Sequence, residues 1–413
     1  MEAIIVGAGI GGLTLALTLH EAGIASRVYE SATEIRPVGV GINILPHASR
    51  ELCRLGLEDS LSNLAVTTRE SVFFNRFGQR IYGEPAGRYA GYDWPQFSIH
   101  RGDLQQLLLE AFRQRVGPER LLTGCKCIGF EQSASQVRAR LVDAATSTAP
   151  IEREGDVLIA CDGLHSNIRK QLHPHEGEPL YSGVNMWRGV SVWEPMLSGA
   201  SMIRAGWLAT GKLVIYPIRN RVDDKERQLV NWVAELATSK HAQRDWNRRG
   251  ALSDFIGAYE DWHFDWLDVP AFIRAAEAIL EFPMIDQDPL PWWSQGRVTL
   301  LGDAAHPMYP RGSNGAGQAI LDARSLADCL SARGDVASAL KAYESARLDA
   351  TAKVVRANRT NPPDAILREV FERTGDRPFA RIDDVMSQEE LAALSDGYKR
   401  IAGYHRETLS GGG

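Results

Sequence analysis

The chain is poor in cysteine, and its cysteines do not form the pattern of a disulfide framework or a metal site. There are five, an odd number, spread over the whole sequence. Scattered cysteines are typical of a reducing compartment. Cys125 and Cys127 share one face of a predicted strand, but a metal site would need two more ligands at comparable spacing. We therefore expect no disulfide and no bound metal.

Long apolar runs and an excess of basic charge are also missing. No segment approaches the roughly 18 apolar residues of a membrane-spanning helix, and the apolar start, residues 3–6, lacks the basic flank of a signal peptide. The net charge is −6, with both signs interspersed, which leaves no basic surface for nucleic acid. We expect a cytoplasmic protein that binds neither membranes nor nucleic acid.

The chain begins with an apolar strand that leads through glycines into a helix. Residues 3–6 precede Gly7-x-Gly9-x-x-Gly12, in which the first glycine permits a tight turn, the second lets a pyrophosphate approach, and the third allows close helix packing. Glu30 ends the next predicted strand, where an acid binds the adenosine ribose. The pattern predicts a dinucleotide site, and Glu30 favours an unphosphorylated 2′-hydroxyl.

A second glycine-rich stretch lies near residue 300. Residues 298–301 predict a buried parallel strand, Gly302 a tight turn, and Asp303 a carboxylate at the carboxyl end of the strand. Ligands of open α/β sheets collect at that edge, so Asp303 can bind a sugar or ribityl hydroxyl. Glycines at 312, 315 and 317 leave N–H groups uncovered before a predicted helix. Taken alone, an ordinary capping aspartate with turn glycines explains this stretch about equally well.

A third segment repeats the same order of elements. An apolar strand ends in Asp162-Gly163, and a helix follows that Ser166 can cap. These segments, residues 7–30, 156–169 and 302–317, are the three cofactor stations.

Together the stations resemble the fingerprints of the single-component FAD-dependent aromatic hydroxylases, the family typified by para-hydroxybenzoate hydroxylase. Within it the chain is most similar to bacterial phenazine monooxygenases, which act on 5-methylphenazine-1-carboxylate. The closer match is carried by residues 34–43, 98–105, 186–189, 230–233 and 286–291. The resemblance implies an α/β fold with a Rossmann-like FAD-binding domain of the glutathione-reductase type, an inserted β-sheet substrate domain and C-terminal helices.

The activity that this resemblance implies is hydroxylation of an aromatic or heteroaromatic small molecule, in secondary metabolism or aromatic catabolism. FAD would be the cofactor, NADH or NADPH the reductant, and O₂ the oxidant, with a flavin C4a-hydroperoxide as the oxygen donor. A flavin oxidase or dehydrogenase, and a non-enzymatic flavin-binding redox sensor, stay open as alternatives. No domain for the nicotinamide cofactor is expected, since a second glycine triplet of that kind is absent from the sequence.

The resemblance also assigns residues to the cofactor. Arg101 and Gln105 would hold the pyrophosphate or ribityl region, and residues 39–42 would follow the isoalloxazine edge. The complete set of predicted cofactor-binding residues is Gly7, Gly9, Gly12, Glu30, Gly41, Arg101, Gln105, Asp162, Gly163, Arg169, Gly302, Asp303 and Gly315.

The predicted substrate site combines aromatic side chains with the loop of residues 310–317. Residues 179–280 contain seven tryptophans, and for any single one a position in the core is the alternative. Trp187, Tyr216 and Trp232 are expected to enclose a flat ring, with Tyr216 also among the catalytic candidates. No side chain is singled out as the base; the possible groups are His100, Arg188, Arg204 and Tyr216.

The loop itself supplies the other catalytic candidates, Pro310, Arg311 and Gly312. Its backbone dipoles would stabilise negative charge on the reduced flavin. Arg311 would pair with a substrate carboxylate or with the phosphate of the nicotinamide cofactor, and a solvent-facing arginine is the alternative. His306, next to the Gly302-Asp303 turn, is expected to be structural.

With 413 residues, the chain exceeds the usual size of one core. We expect a discontinuous FAD-binding domain of residues 1–72, 97–178 and 281–350. The substrate domain would comprise residues 73–96 and 179–280, and a helical segment would follow at 351–413. Residues 336–356 predict an amphipathic helix that closes the FAD-binding domain and ends before a break at 358–363. The protein is expected to be a monomer or a homodimer.

Overall fold

The computed structural model describes residues 1–37, 39–145, 150–238, 249–332 and 334–410. Its strands are, in chain order, β1 (Glu2–Val6), β2 (Ala25–Tyr29), β3 (Gly41–Ile44), β4 (Val66–Thr67), β5 (Glu70–Phe74), β6 (Arg80–Pro85), β7 (Phe97–His100), β8 (Leu121–Leu122), β9 (Cys125–Gln132), β10 (Val137–Asp143), β11 (Ile151–Gly155), β12 (Val157–Ala160), β13 (Leu180–Trp193), β14 (Ser201–Trp207), β15 (Gly211–Arg219), β16 (Gln228–Ala237), β17 (His263–Phe264), β18 (Leu267–Asp268), β19 (Ile279–Asp286) and β20 (Val298–Leu300). The α-helices are α1 (Ile10–Glu21), α2 (Pro46–Arg54), α3 (Glu58–Leu64), α4 (Arg101–Arg115), α5 (Asn167–Leu172), α6 (Val269–Arg274), α7 (Gly315–Ala332), α8 (Val336–Thr360), α9 (Ala365–Thr374), α10 (Gln388–Ala402) and α11 (Arg406–Ser410).

A parallel sheet brings the three cofactor stations to one edge. Its strand order is β20-β12-β1-β2-β8, and every pair in it is parallel. Strands β1, β12 and β20 are mostly apolar and almost wholly buried, as expected for a parallel sheet with both faces covered. Because these neighbours run in the same direction, their carboxyl ends meet. The glycine turn, Asp162 and Asp303 therefore lie side by side, and the predicted α/β fold is confirmed.

A second, larger sheet follows the order β19-β13-β16-β15-β14-β5-β6. Its pairs are antiparallel except β14 with β5. The strands come from the two segments predicted to form a substrate domain, but β5 begins at Glu70 and β19 continues to Asp286. The sheet thus includes residues on the far side of the predicted boundaries at 73 and 281.

The helices after residue 335 differ in one respect from the sequence prediction. Helix α8 continues to Thr360, through the predicted break, because Asn358 is buried within it and donates to the Tyr309 carbonyl at 3.0 Å. Two further helices, α9 and α10, follow within the segment predicted to be helical. Helix α10 begins with a capping box of Ser387 and Glu390, which satisfies two backbone N–H groups.

In the part of the chain that the structure describes, no helix is long and apolar enough to cross a membrane. The five cysteines are free thiols, and no group of three or more potential ligands in the described ranges could hold a metal ion. Trp246 and residues 411–413 lie outside the described residues.

Candidate cofactor and substrate site

The first cofactor station is an open helix N-terminus that glycines make possible. Gly7 has φ +100°, and a Cβ there would lie 2.5 Å from the carbonyl oxygen of Cys161. A Cβ on Gly12 would lie 2.0 Å from the Gly7 oxygen, so α1 packs tightly on the end of β1. Gly9 is the N-cap of α1 and has open space within 4 Å of its Cβ position. Uncovered N–H groups beside that space fit a pyrophosphate.

Glu30 lies beside this turn, one residue after β2. Its Oε2 accepts a hydrogen bond from Ala8 N at 2.8 Å, and its Oε1 accepts one from Ala32 N at 2.7 Å. A carboxylate has further lone pairs. Glu30 can therefore hold the turn and accept hydrogen bonds from ribose hydroxyls together.

Helix α4 brings Gln105 and Arg101 to the same edge. Gln105 Nε2 donates to the Ala8 carbonyl at 2.9 Å, and Arg101 N donates to the Val40 carbonyl at 3.0 Å. Desolvation lowers the pKa of the Arg101 guanidinium, although nearby Asp303 raises it. The side chains of opposite charge thus face one cleft, which suits the phosphate and hydroxyl groups of FAD.

Asp303 follows β20 in a tight turn at Gly302, whose φ is +62°. Its carboxyl is exposed to solvent within the cleft, yet many protein atoms surround it. This incomplete solvation raises the pKa of Asp303, while His306 and Arg101 lower it. A Cβ on Gly315, at the start of α7, would lie 3.8 Å from Asp303 Oδ1. The predicted ribityl ligand and the helix N-terminus therefore adjoin.

A buried network fixes that turn from below. Asp322 accepts from Gly302 N at 3.1 Å and lies 2.6 Å from His306 Nε2 and 2.7 Å from Arg347 Nε. Burial by itself would raise the pKa of Asp322. The nearby His306 and Arg347 outweigh this effect and lower the pKa to about 2. His306 is thus structural, as expected. Sequence reasoning missed Asp322 and Arg347 because helices α7 and α8 carry them to the turn from distant positions.

At the third station, Asp162 and Gly163 border the glycine turn. Asp162 Oδ2 accepts from Asn167 N at 3.1 Å, while Oδ1 is buried without a hydrogen bond to any described residue. Burial raises the pKa of Asp162 to about 6. Gly163 has φ +76° and open space at its Cβ position. Ser166 caps α5, as predicted.

Arg169 requires a correction. It is buried rather than open to the cleft. Its Nη1 donates to the carbonyls of Ala304 and Ala305, each at 2.9 Å, and its Nε donates to Glu176 Oε2 at 2.7 Å. The guanidinium therefore ties the third station to the Asp303 turn, and it does not face the cofactor as predicted.

Gly41 joins the predicted isoalloxazine edge to the large sheet. Asn231 Oδ1 accepts from Gly41 N at 2.7 Å, while Arg188 Nη2 and Tyr216 Oη each donate to Gly41 O at 2.8 Å. Both backbone groups of Gly41 are thus occupied. Tyr216, whose pKa burial raises, likewise has a committed hydroxyl, so the structure gives it a positioning contact rather than a free catalytic one.

Trp187 and Trp232 also require a correction, because they lie on the other face of the sheet. Neighbouring residues of a strand point to opposite faces, and Arg188 and Asn231 occupy the face toward Gly41. Trp187 stacks on Phe255 at 5.0 Å, and Trp232, fully buried, donates to Ser191 Oγ. Both tryptophans belong to a core, the alternative that the sequence left open.

The loop of the catalytic candidates is held by the C-terminal helices. Pro310 to Gly312 form a short 3₁₀ turn, and a Cβ on Gly312 would overlap the Tyr398 hydroxyl at 1.6 Å. Asn314 Nδ2 donates to that hydroxyl at 2.9 Å. Arg311 lies 5.7 Å from the Tyr309 ring, and its buried Nε makes no hydrogen bond with the described residues.

A cavity of about 370 Å³ opens between the β3–α2 loop, the large sheet and the C-terminal helices. Its walls include Leu45 and Pro46 at the junction of β3 and α2, Phe73 and Met202 from the sheet, and Arg204. The two tryptophans that the sequence assigned to the substrate site do not line it. The lining also contains charged side chains, among them Glu84, Lys399 and Arg406. Apolar surface together with cations such as Arg204 suits a flat, anionic ring system.

Arg204 is mostly buried, and its contacts leave part of the guanidinium free. Nη1 donates to Ser71 Oγ at 2.7 Å, and Nε lies 3.1 Å from Asp364 Oδ1. Among the described residues, Nη2 hydrogen-bonds only to the sulfur of Met202, at 3.4 Å. A sulfur is a weak acceptor, so Nη2 has capacity for a stronger one.

Two histidines lie near the cleft, and the sequence pointed to only one of them as a candidate. His100, a predicted candidate base, caps α4 by accepting from Gly102 N, and its Nε2 lies 3.1 Å from the Gly39 oxygen. His47 was missed. It is buried at the start of α2, where burial lowers its pKa to about 3, and its ring stacks on Tyr404 at 5.3 Å.

Comparison with known families gives a match to the one described as FAD binding domain, over residues 1–248 and 285–358. The phenazine 1,6-dicarboxylic acid hydroxylase of Lysobacter antibioticus is 41% identical over 404 residues, which are 97% of each chain. The 6-hydroxynicotinate 3-monooxygenase of Pseudomonas fluorescens is 30% identical over 369 residues, covering 86% of this chain and 90% of that one.

Among solved structures, Klebsiella pneumoniae HpxO complexed with FAD and uric acid superposes with a TM-score of 0.76. The match covers 99% of this chain and 97% of the other, at 22% identity. At that identity the likeness establishes the fold alone.

Proposed function

Since this chain belongs to the FAD binding domain family and is an FAD-dependent monooxygenase of aromatic compounds, we propose that its substrate is a flat heteroaromatic carboxylic acid of the phenazine class. The observation that carries this proposal is Nη2 of Arg204, whose one hydrogen bond to a described residue is to the weak acceptor Met202 sulfur, in a cavity that apolar and charged side chains line together. A buried guanidinium binds a carboxylate by charge-assisted hydrogen bonds. The name of the Lysobacter relative, a hydroxylase of a phenazine dicarboxylic acid, supports the same class.

The residues around the cleft suit FAD, which would supply the redox chemistry with NADH or NADPH as electron donor and O₂ as co-substrate. Gly7, Gly9, Gly12 and Glu30 would bind the adenosine diphosphate part. Gln105 would support that turn through Ala8. These groups orient the cofactor with little reorganisation, because other contacts already fix each of them.

Asp303, Arg101 and the N-terminus of α7 would bind the ribityl chain and the flavin. The N–H groups near Gly315 are uncovered and would stabilise negative charge on the flavin ring. Asp162 and Gly163 border the same space. The walls of the cavity would exclude water and hold the substrate ring beside the flavin.

Arg311 stays within the proposal as a second cation of the catalytic loop, Pro310 to Gly312. Its buried Nε without a partner among the described residues supports pairing with a substrate carboxylate or with a nicotinamide cofactor's phosphate. Arg311→Ala is expected to weaken binding of one of them. Unchanged Kd for the acid and unchanged KM for both NADH and NADPH would remove Arg311 from the site.

The substrate proposal is tested with the FAD-loaded protein and a small panel of compounds: phenazine, phenazine-1-carboxylate, phenazine-1,6-dicarboxylate and benzoate. The readouts are the rate of anaerobic flavin reduction by NADH or NADPH, and incorporation of ¹⁸O from ¹⁸O₂ into the product. We expect the two phenazine acids to accelerate reduction and to carry the label. Equal responses to neutral phenazine would refute the role of the carboxylate. Substrate oxidation without label would indicate an oxidase.

Three broader assignments accompany this function. We propose a division into an FAD-binding and a substrate domain near the predicted boundaries, which the separate parallel and antiparallel sheets support. A cytoplasmic location is consistent with five free thiols. We further propose a monomer or homodimer, which sedimentation velocity would distinguish.

A further inference from the structure

We infer that the C-terminal segment, residues 388–410, forms one wall of the substrate cavity and selects substrates by size through Tyr404. This inference rests on the proposed function. The segment comes after residue 358, where the family match ends. Yet it contributes Ser395, Lys399, Tyr404 and Arg406 to the lining of the cavity, which Leu45 and Met202 also line. Part of the substrate site is therefore built by residues outside the matched family region.

The wall is fastened to the cofactor side by a set of buried contacts. Tyr398 Oη donates to Asn358 Oδ1 at 2.6 Å and accepts from Asn314 Nδ2 at 2.9 Å. Gln318 Nε2 donates to the Ala402 carbonyl at 3.3 Å. Helix α10 is thereby attached to the loop of residues 310–317 and to α7 and α8.

A second set of contacts fastens the wall to the substrate sheet. Glu84 on β6 accepts from Lys399 Nζ at 2.7 Å and from Ser395 Oγ at 2.8 Å. Tyr92 Oη donates to the Tyr404 carbonyl at 2.8 Å. With contacts on both sides, the segment has a defined position over the cavity, which a loosely attached tail would not have.

Tyr404 is the residue of this wall best suited to touch a flat substrate. Gly403 ends α10 with φ 79° and turns the chain, so that Tyr404 lies against His47 with ring centroids 5.3 Å apart and planes at 29°. Its hydroxyl makes no hydrogen bond to the residues that the structure describes, whereas its backbone is fixed at both ends by Lys399 and Tyr92. A held aromatic ring with a free hydroxyl can stack on a planar substrate and also bond to it.

The pattern of similarity agrees with this role. The match to the phenazine dicarboxylic acid hydroxylase covers 97% of the chain, so it must extend through most of the segment. This relative therefore shares most of the segment, and its name refers to phenazine, which is a tricyclic ring system.

The inference is tested with Tyr404→Ala, Tyr404→Phe and Tyr404→Trp, and with Ile401→Ala as the matched control. Ile401 lies near the end of α10, three residues before Tyr404, but is 42% exposed and does not line the cavity. Binding of phenazine-1-carboxylate and benzoate to the oxidised, FAD-loaded protein is measured by perturbation of the flavin spectrum. Thermal midpoint and FAD content report on folding.

We expect Tyr404→Ala to raise the Kd of the phenazine acid about tenfold, as loss of one aromatic contact predicts, and to increase the share of reductant lost as hydrogen peroxide. Tyr404→Trp should exclude the phenazine acid while benzoate still binds, and Ile401→Ala should match the wild type. If Tyr404→Ala fails to fold, the size selection by Tyr404→Trp decides.

Two negative results have different meanings. If neither acid perturbs the flavin of the wild-type protein, the proposed substrate class is wrong. If the wild type binds the phenazine acid and the three Tyr404 variants bind both acids with unchanged Kd, the substrate class stands and the wall inference is overturned.

Discussion

Arg204 is the residue on which the choice of an anionic substrate depends. Its Nη2 contacts only the Met202 sulfur within the described residues, so a carboxylate would gain a strong hydrogen bond there. We expect Arg204→Met to raise the KM for phenazine-1-carboxylate by roughly tenfold to a hundredfold, the range for a hydrogen bond between charged groups. Steady-state kinetics would measure it.

The control is neutral phenazine, whose Kd should change little because it has no group for Arg204 to bind. A parallel loss for phenazine and for its acid would assign Arg204 to support of the cavity instead. Comparing the two ligands separates charge recognition from any general disturbance of the buried Asp364 contact.

We expect Asp162 to make the stability of the FAD-free protein depend on pH. Burial raises its folded pKa from 3.8 to about 6, so the folded state binds more protons than the unfolded chain between these values. The contribution to stability is therefore fully present below pH 4 and is lost as the pH rises through 6. The shift corresponds to about 2 kcal/mol after allowance for partial exposure.

Asp162→Asn is expected to remove this loss of stability at rising pH. The amide has no proton to lose, and its oxygen can still accept a hydrogen bond from Asn167 N. Urea unfolding of both proteins at pH 4, 5, 6 and 7 measures the effect. The difference in free energy of unfolding between variant and wild type should change across that range. A constant difference would mean that Asp162 has an ordinary pKa.

At the scale of elements, two glycines of the β1–α1 unit are expected to have different roles: Gly9 leaves space for the cofactor, and Gly12 allows close packing. Gly9→Ala places a methyl group in open space, whereas Gly12→Ala places one 2.0 Å from the Gly7 oxygen. We expect Gly9→Ala to leave the FAD-free protein about as stable as the wild type but to weaken FAD binding, since the methyl group occupies the space proposed for the pyrophosphate. Gly12→Ala should lower the unfolding free energy itself, by about 1–3 kcal/mol for a crowded site.

The readouts are the urea midpoint of the FAD-free proteins and the Kd for FAD from fluorescence quenching. Equal FAD affinity in Gly9→Ala and the wild type would contradict a pyrophosphate at this turn. Equal stability in Gly12→Ala would contradict the tight contact between α1 and β1.

The elements also show what the sequence can and cannot predict. The three stations were predictable because each is a continuous strand, turn and helix with its glycines in fixed positions. The sheet face on which Trp187 and Trp232 lie could not be predicted in the same way, because a shift of one residue reverses the face of every side chain in a strand. Arg169 carries a family fingerprint, but only the fold shows that its donors go to Ala304 and Ala305. Asp322 and Tyr404 have no local motif, and distant chain segments bring them to the site.

For the whole molecule, we expect the substrate cavity to depend on how the chain after residue 360 joins the large sheet. A buried cluster forms this joint: Lys212 and Arg204 on the sheet contact Asp364, which precedes α9, and Lys212 Nζ also lies 3.0 Å from Glu235 Oε2. Lys212 and Asp364 are each 1% exposed. Two cations and two anions balance, so each charge is compensated only while all four are in place.

Removing Asp364 should therefore be far more damaging than removing a surface partner. Asp364→Ala leaves buried positive charge uncompensated, a change that typically costs about 3–5 kcal/mol. We expect a loss of that order in the free energy of unfolding. We also expect faster proteolysis within residues 361–387, because this part of the chain separates from the sheet. Asp376→Ala, which removes a partly exposed ion pair with Arg76, should cost less than about 1 kcal/mol. Urea unfolding and limited proteolysis of the FAD-loaded proteins measure both effects. Equal losses in the two variants would show that the buried cluster does not hold the cavity wall in place.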